Sequence, residues 1–221
     1  MAYIVLMGVQ GAGKGTQADI LKTKYDIPHV TTGGMFRSMP DTPLGREVQA
    51  LMAAYKLISD EITIQVVRER LTQLDAANGV ILDGFPRTKP QAEALDQLLT
   101  ELGGKVAVVP YLKLDKDIAI DRIVNRWVCS QDSNHSYNLK TIPPQVAGRC
   151  DIDDAPLIQR PDDTREGAEK RIGDFFQQTA PLLDYYRERH VLREIDADQP
   201  VEKVTADLIA AIDEAIQSIR P

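Results

Sequence analysis

Near its amino terminus the chain reads Gly8-Val9-Gln10-Gly11-Ala12-Gly13-Lys14-Gly15-Thr16, directly after the apolar run Tyr3-Ile4-Val5-Leu6-Met7. The order is that of a buried strand, a glycine-rich turn and the start of a helix. Glycines let a backbone approach an anion closely with its N–H groups turned inward, and the positive end of the following helix adds to the attraction. Gly11, Ala12, Gly13 and Gly15 would line such a cradle, and Lys14 would reach the outer phosphates of a nucleotide. The hydroxyl, Thr16, arrives one place later than the common P-loop spacing puts it. The plain alternative is a glycine-rich strand-to-helix turn that binds nothing. A second signal is Val80-Ile81-Leu82, which ends in Asp83 and opens Asp83-Gly84-Phe85-Pro86-Arg87-Thr88. A carboxylate that ends a strand beside a P-loop suits magnesium, held directly or through water. An Asp that caps an Asp-Gly turn is the competing reading.

Apolar, β-rich runs at 4–7, 27–30, 80–82, 106–114 and 191–195 alternate with helical patterns at 16–25, 62–74, 91–102, 118–126, 166–189 and 200–219. Continuous apolar runs without alternation predict strands buried on both faces, as in a parallel sheet. The fold class is therefore α/β, three layers around a central parallel five-stranded sheet with right-handed crossovers. Ligands of such sheets bind beyond the carboxyl ends of the strands, where Gly8 and Asp83 both fall. Two segments interrupt the alternation. Residues 31–58 are helical in character with no strand between; residues 125–163 are polar, contain Cys129, Cys150 and His135, and have the length of a lid.

Lys and Arg number 26 against 33 Asp and Glu, a net charge of −7 that argues against a nucleic-acid partner. An anionic ligand must instead meet a local cluster of arginines. No apolar stretch reaches membrane-spanning length, so no membrane partner is expected. The chain enters its first strand without a basic leader, and two cysteines are too few for a secreted disulfide scaffold, so a cytoplasmic location is expected.

Several rare motifs in one order give the chain a clear resemblance to the adenylate kinase family in its long-lid form. They are the glycine-rich run at 8–17, Thr32-Gly33 with Met35 and Arg37, and Lys56-Leu57-Ile58-Ser59-Asp60-Glu61. The series continues with Leu82-Asp83-Gly84-Phe85-Pro86-Arg87-Thr88, Gln91, Asp121-Arg122-Ile123-Val124-Asn125-Arg126, Pro143-Pro144, Arg160-Pro161-Asp162-Asp163 and Arg171. The resemblance implies a P-loop nucleoside-monophosphate-kinase fold. Its core would be 1–30, 59–124 and 164–221, with a helical AMP-binding flap at 31–58 and an inserted ATP lid at 125–163. It implies transfer of the γ-phosphoryl group of Mg-ATP to AMP, giving two ADP, by a monomer.

By the same resemblance Lys14, Arg87, Arg126, Arg160 and Arg171 surround the phosphates, and Asp162 and Asp163 orient the arginines. Arg122 lies against the ATP adenine with Gln199 at its edge, and Ser136 and Tyr137 join the ATP site from the lid. Thr32, Arg37, Lys56, Leu57, Ile58, Gly84 and Gln91 form the AMP site together with Arg87, Arg160 and Arg171. Asp83 holds magnesium through water. Closure of the lid would exclude water, which competes with AMP as acceptor.

The chain departs from the family pattern at Gln10, where proline is usual, at Gly34, where an aspartate is usual, and at Gln199, a frequent lysine. Some members bind structural zinc in the lid; here Cys129, Asp132, Cys150 and Asp153 stand at the comparable positions, with His135 as a further ligand. A metal-free polar network is the alternative. Rival readings are a kinase for UMP or CMP and a nucleotide-binding protein without catalysis.

Overall fold

The apolar run that precedes the glycine-rich turn forms β1 (Ala2–Gly8), the central strand of a parallel sheet. The structure is a computed structural model that describes residues 2–53, 58–132 and 135–219. On one side β1 pairs with β3 (Gly79–Asp83), which pairs with β2 (His29–Thr31). On the other it pairs with β4 (Val106–Lys113), which pairs with β8 (Leu192–Asp196). The order β2-β3-β1-β4-β8 puts β1 where successive connections turn to opposite sides of the sheet, the place where α/β sheets open a crevice.

Alternation along β1 divides the core into two layers, because successive side chains leave opposite faces. Ile4 and Leu6 pack with Leu21 of α1 (Lys14–Tyr25), Ile120 and Ile123 of α6 (Lys116–Val124), and Leu208 and Ile212 of α9 (Val201–Ile219). Tyr3, Val5 and Met7 pack with Val67 of α4 (Asp60–Leu71) and Leu95 and Leu99 of α5 (Lys89–Glu101). Leu182 and Tyr186 of α8 (Pro181–Glu188) complete that layer. Each fully buried Leu or Ile contributes about 1.5–3 kcal/mol of transfer free energy.

The helix expected over 166–189 is broken. α7 (Arg165–Asp174) ends in a π-helical turn at Phe175–Thr179 before α8 begins. Pro181 is the reason: it lacks an N–H, and its ring excludes the carbonyl four residues earlier. The Ala180 N–H donates to Phe175 O at 2.8 Å, the wider i to i−5 bond. The helix expected to run to residue 126 stops at Val124, and Arg126 begins a strand instead.

The two interrupting segments differ in build. In 31–58, α2 (Thr32–Arg37) and α3 (Pro43–Ala53) share a small core with α4 through Phe36, Val48 and Val66. In 125–163, β5 (Arg126–Cys129) lies between β6 (Ser136–Asn138) and β7 (Leu157–Ile158) in an antiparallel sheet. Its own core is Cys129, Tyr137, Cys150 and Leu157, with Trp127 packed against them. No described helix is long and apolar enough to cross a membrane.

Candidate active site

Gly8 closes β1 at φ +149°, and a β-carbon there would lie 2.7 Å from Leu112 O, so the close approach of β1 and β4 requires glycine. Gly13 caps α1 at φ +87° with no side-chain hydrogen bond and open space around it. The helix start is thus presented to the crevice as bare backbone, the form in which a helix N-terminus takes an anion. Lys14 folds over the loop, its Nζ donating to Gly8 O at 2.8 Å and Val9 O at 3.1 Å. Burial pulls the Lys14 ammonium below the ordinary lysine range; Asp83 opposes that shift, and Arg87 and Arg126 add to it. Gly15 and Thr16 follow on the exposed first turn of α1.

Asp83 ends β3, in register with Leu6 of β1 and Thr31 of β2. Burial alone would raise its pKa, but Lys14, His29 and Arg87 together hold the carboxyl below the usual range. His29 Nε2 lies 3.6 Å from Asp83 Oδ2, and its Nδ1 lies 3.9 Å from Asp19 Oδ1. Burial opposes protonation of His29, yet the two carboxylates raise its pKa to about 9. Asp83 is therefore held as a carboxylate at the end of β3, a hard oxygen donor of the type that magnesium prefers. His29 escaped the sequence reading; nothing in its local sequence separates it from an ordinary edge-strand histidine.

Beyond β3 the turn into α5 gathers four of the sequence-predicted residues. Thr32 Oγ1 donates to Gly84 O at 3.2 Å, and Arg87 Nε donates to the same oxygen at 2.8 Å. Gln91 Oε1 accepts from the Arg87 N–H at 2.8 Å. Thr88 caps α5, accepting from the Gln91 N–H, a contact type that contributes about 1 kcal/mol. Arg37, at the end of α2, lies over Gly33, where a β-carbon would sit 3.1 Å from its Nη1.

The mouth of the crevice carries a buried ion-pair network. The Asp163 side chain is fully buried, accepting from Arg126 Nε at 2.8 Å and Nη2 at 2.5 Å, and from Arg171 Nη2 at 3.0 Å. Arg171 also donates to Asp162 Oδ2 at 2.5 Å and Asp162 O at 2.7 Å. Asp163 therefore ties β5 to α7. Burial lowers the Arg160 pKa, with Arg126 and Arg37 lowering it further and Asp163 and Asp162 opposing them. Lys14, Arg87, Arg126, Arg160 and Arg37 thus form one field of mutually repelling cations. That is an arrangement stabilised by a polyanion.

Arg122 donates to Ala197 O at 3.1 Å, and its Nη2 lies 3.5 Å from Asp198 Oδ1. This brings it to the 197–199 loop, where Gln199 Nε2 donates to Asp196 O at 2.8 Å.

Comparison with known proteins fits this geometry. The family model described as adenylate kinase matches residues 6–191. The chain is similar to the adenylate kinase of Listeria monocytogenes serotype 4b (strain CLIP80459), 44% identical over 207 residues, covering 93% of this chain and 96% of the relative. The chain belongs to the adenylate kinase family. It is also 45% identical over 211 residues to the adenylate kinase of Acidothermus cellulolyticus, covering 95% of this chain and 97% of that protein. With the adenylate kinase of Moorella thermoacetica it shares 44% identity over 203 residues, 91% and 93% of the two chains.

Within this adenylate kinase family chain, the 125–163 segment gathers Cys129, His135, Cys150 and Asp153, whose ligand atoms all lie within 4.8 Å of one another. Cys129 Sγ is 3.2 Å from Asp153 Oδ2, Cys150 Sγ is 3.5 Å from His135 Nδ1, and His135 Nδ1 is 3.5 Å from Asp153 Oδ2. Tetrahedral zinc with bonds of about 2.0–2.3 Å spaces its ligand atoms roughly 3.3–3.8 Å apart, so the group has the donors and the dimensions of such a site.

Asp132, expected beside Cys129, is not among these four; the backbone N–H groups of Gln131 and Asp132 bond the Cys129 sulfur. The Asp132 carboxylate lies 3.6 Å from His135 Nε2, on the side of the ring away from Cys150 and Asp153. Tyr137 is also turned inward, its hydroxyl on Asp151 N at 2.7 Å and Cys150 Sγ at 3.4 Å, while Ser136 is exposed. Lys56 and Leu57 lie outside the described residues, and Ile58 packs beside α2 and α4. Gly34 sits in the first turn of α2 with its N–H donating to Thr31 Oγ1, and a β-carbon there would lie 2.6 Å from that oxygen.

Proposed function

We propose that this protein transfers the γ-phosphoryl group of Mg-ATP to AMP, reversibly, giving two ADP. The observation that carries this reading is the cation field around Lys14, with Asp83 beside it. One substrate phosphate attacks the other, so the reaction needs no covalent nucleophile from the protein. Positioning and charge neutralisation are the protein's share.

Gly11, Ala12, Gly13, Gly15 and Thr16 would cradle the ATP phosphates, with Lys14 swinging from the carbonyls of Gly8 and Val9 onto the transferred group. Arg122 and the Gln199 loop would flank the ATP adenine. Ser136, and Tyr137 through its backbone, would meet ATP from the lid. Arg37 would hold the AMP phosphate and Thr32, Gly84, Gln91 and the 56–58 stretch its base, while Arg87, Arg126, Arg160 and Arg171 converge between the two nucleotides. Their planar donors match phosphoryl oxygens bidentately. Magnesium, held through water by Asp83, would neutralise phosphate charge. The 31–58 segment would act as the flap over AMP and 125–163 as the lid over ATP, with Asp163 joining lid to core. A monomer in the cytoplasm is the assembly and location this reading favours.

Steady-state assay with Mg-ATP and AMP, UMP or CMP tests the acceptor. ADP formation with AMP at least about a hundredfold more efficient than with either pyrimidine is expected, since a site built to hydrogen-bond one base rejects another strongly. Comparable rates with UMP or CMP would reject AMP as the dedicated acceptor.

The lid group Cys129, His135, Cys150 and Asp153 would hold structural zinc, supplying a cross-link that the small lid core lacks. Protein prepared without added metal is expected to contain about one zinc per chain, and its chelation to lower Tm by several degrees. Metal-free protein whose melting is indifferent to chelator would leave the same residues as a polar network.

A further inference from the structure

We infer that Asp60 is a positioning residue that fixes the direction of the Gln91 amide and thereby makes the acceptor site select a 6-amino purine over a 6-oxo purine. The inference rests on the proposed role of Gln91 in reading the acceptor base.

Gln91 is 5% exposed on the first turn of α5, and both ends of its amide are engaged. Oε1 accepts from the Arg87 backbone N–H at 2.8 Å, and Nε2 donates to Asp60 Oδ1 at 2.6 Å. Asp60 is itself held, because its Oδ2 accepts from Thr88 Oγ1 at 2.8 Å. It opens α4 next to the Ser59 N-cap, so backbone geometry sets where its carboxylate points. A backbone N–H can only donate and a carboxylate accepts, so these two partners dictate which end of the amide is oxygen. A flipped amide would set donor against donor at Arg87 and oxygen against oxygen at Asp60.

Each end of the locked amide retains one hydrogen-bonding valence: a lone pair on Oε1 and an N–H on Nε2. Adenine offers the complement, an amino donor at C6 beside the N1 acceptor. Hypoxanthine offers the reverse, an acceptor at C6 beside an N1–H donor. A glutamine free to flip serves both edges equally. With Asp60 in place, the 6-oxo base faces like groups at both positions, and its buried polar atoms go unsatisfied. In the sequence Asp60 stands only within the Lys56-Leu57-Ile58-Ser59-Asp60-Glu61 run; its reach to Gln91 needs the packing of α4 on α5.

The test measures kcat and KM for AMP and for inosine monophosphate, with Mg-ATP as donor, in the wild-type protein, Asp60→Asn and Gln91→Leu. An asparagine at 60 offers Gln91 either a donor or an acceptor, so one of the two partners that oppose the flip is lost and the Arg87 N–H alone opposes it. Asp60→Asn is expected to lower the AMP-to-IMP ratio of kcat/KM about tenfold, through KM rather than kcat, with the fold retained on thermal melting. Gln91→Leu is expected to abolish the discrimination that Gln91 provides. If Gln91→Leu lowers the ratio and Asp60→Asn leaves it at the wild-type value, the Asp60 inference fails and the Gln91 reading stands. If Gln91→Leu also keeps the wild-type ratio, Gln91 does not read the base and both fail. Should Asp60→Asn not fold, Asp60→Ser, which also removes the fixed carboxylate acceptor for Gln91 Nε2, must shift the ratio the same way; an unchanged ratio overturns the inference.

Discussion

Lys14→Ala is expected to lower kcat/KM for ADP formation on the order of 10³-fold or more, with the fold intact. The ammonium is the cation carried by the loop itself, and it donates to the carbonyls of Gly8 and Val9. Moving from those carbonyls to a phosphate exchanges one set of acceptors for a charged one, so the lysine is available without rearrangement of the loop. Its loss removes charge stabilisation that grows as the phosphoryl group transfers, which lowers kcat as well as affinity. Lys14→Arg is not expected to rescue, because the planar guanidinium cannot occupy the space of a point charge folded over the loop. Steady-state kinetics on the two variants, with melting curves as control, give the check. A loss below about tenfold in Lys14→Ala would remove the lysine from the chemistry.

The second large effect is on stability. Asp163→Asn is expected to cost about 3 kcal/mol and lower Tm by roughly 6–12 °C. The Asp163 carboxylate is buried and receives three hydrogen bonds, two from Arg126 and one from Arg171. Asparagine keeps the shape but turns an NH2 toward guanidinium donors and leaves both cations without their shared counter-charge. The Arg126 and Arg171 side chains are 17% and 20% exposed, so water relieves part of the penalty and the cost falls at the low end for a broken buried pair. Turnover should fall as well under the proposed function, in which Arg126 of β5 and Arg171 of α7, both held by this carboxylate, reach the phosphates. Asp162→Asn, at a 34% exposed carboxylate, is expected to cost markedly less. Denaturant or thermal unfolding of the two variants measures the difference; equal stability of Asp163→Asn and wild type would show that the network contributes no net stability.

The parts of this molecule that are written locally are the parts that the sequence discloses. The strand-loop-helix at Gly8–Lys14 needs only neighbouring residues, and the strand ending in Asp83 is set by its own apolar run. The five sheet strands were all legible for that reason. What depends on distant partners was not. Pro181 interrupts the expected 166–189 helix through its missing N–H, yet apolar periodicity continues across it and hides the break. In the 125–163 segment the spacing offers Asp132 and His135 alike beside the cysteines, and only the folded turn, with its N–H groups on the Cys129 sulfur, shows that His135 is the one grouped with Cys129, Cys150 and Asp153. The inward turn of Tyr137 follows from the small lid core, which has few other large side chains to fill it. His29 against Asp83 and Asp60 against Gln91 both join elements far apart in the chain, and neither pairing has a local signature.

The central claim is phosphoryl transfer between two adenine nucleotides. Incubation with ATP labelled in its γ-phosphate, AMP and magnesium, followed by separation of nucleotides, tests it most directly. Two ADP are expected for each ATP consumed, with the label in the β-phosphate of the ADP that arose from AMP, and no such transfer by Lys14→Ala. Label appearing as inorganic phosphate, or remaining in ATP while AMP is unchanged, would contradict it.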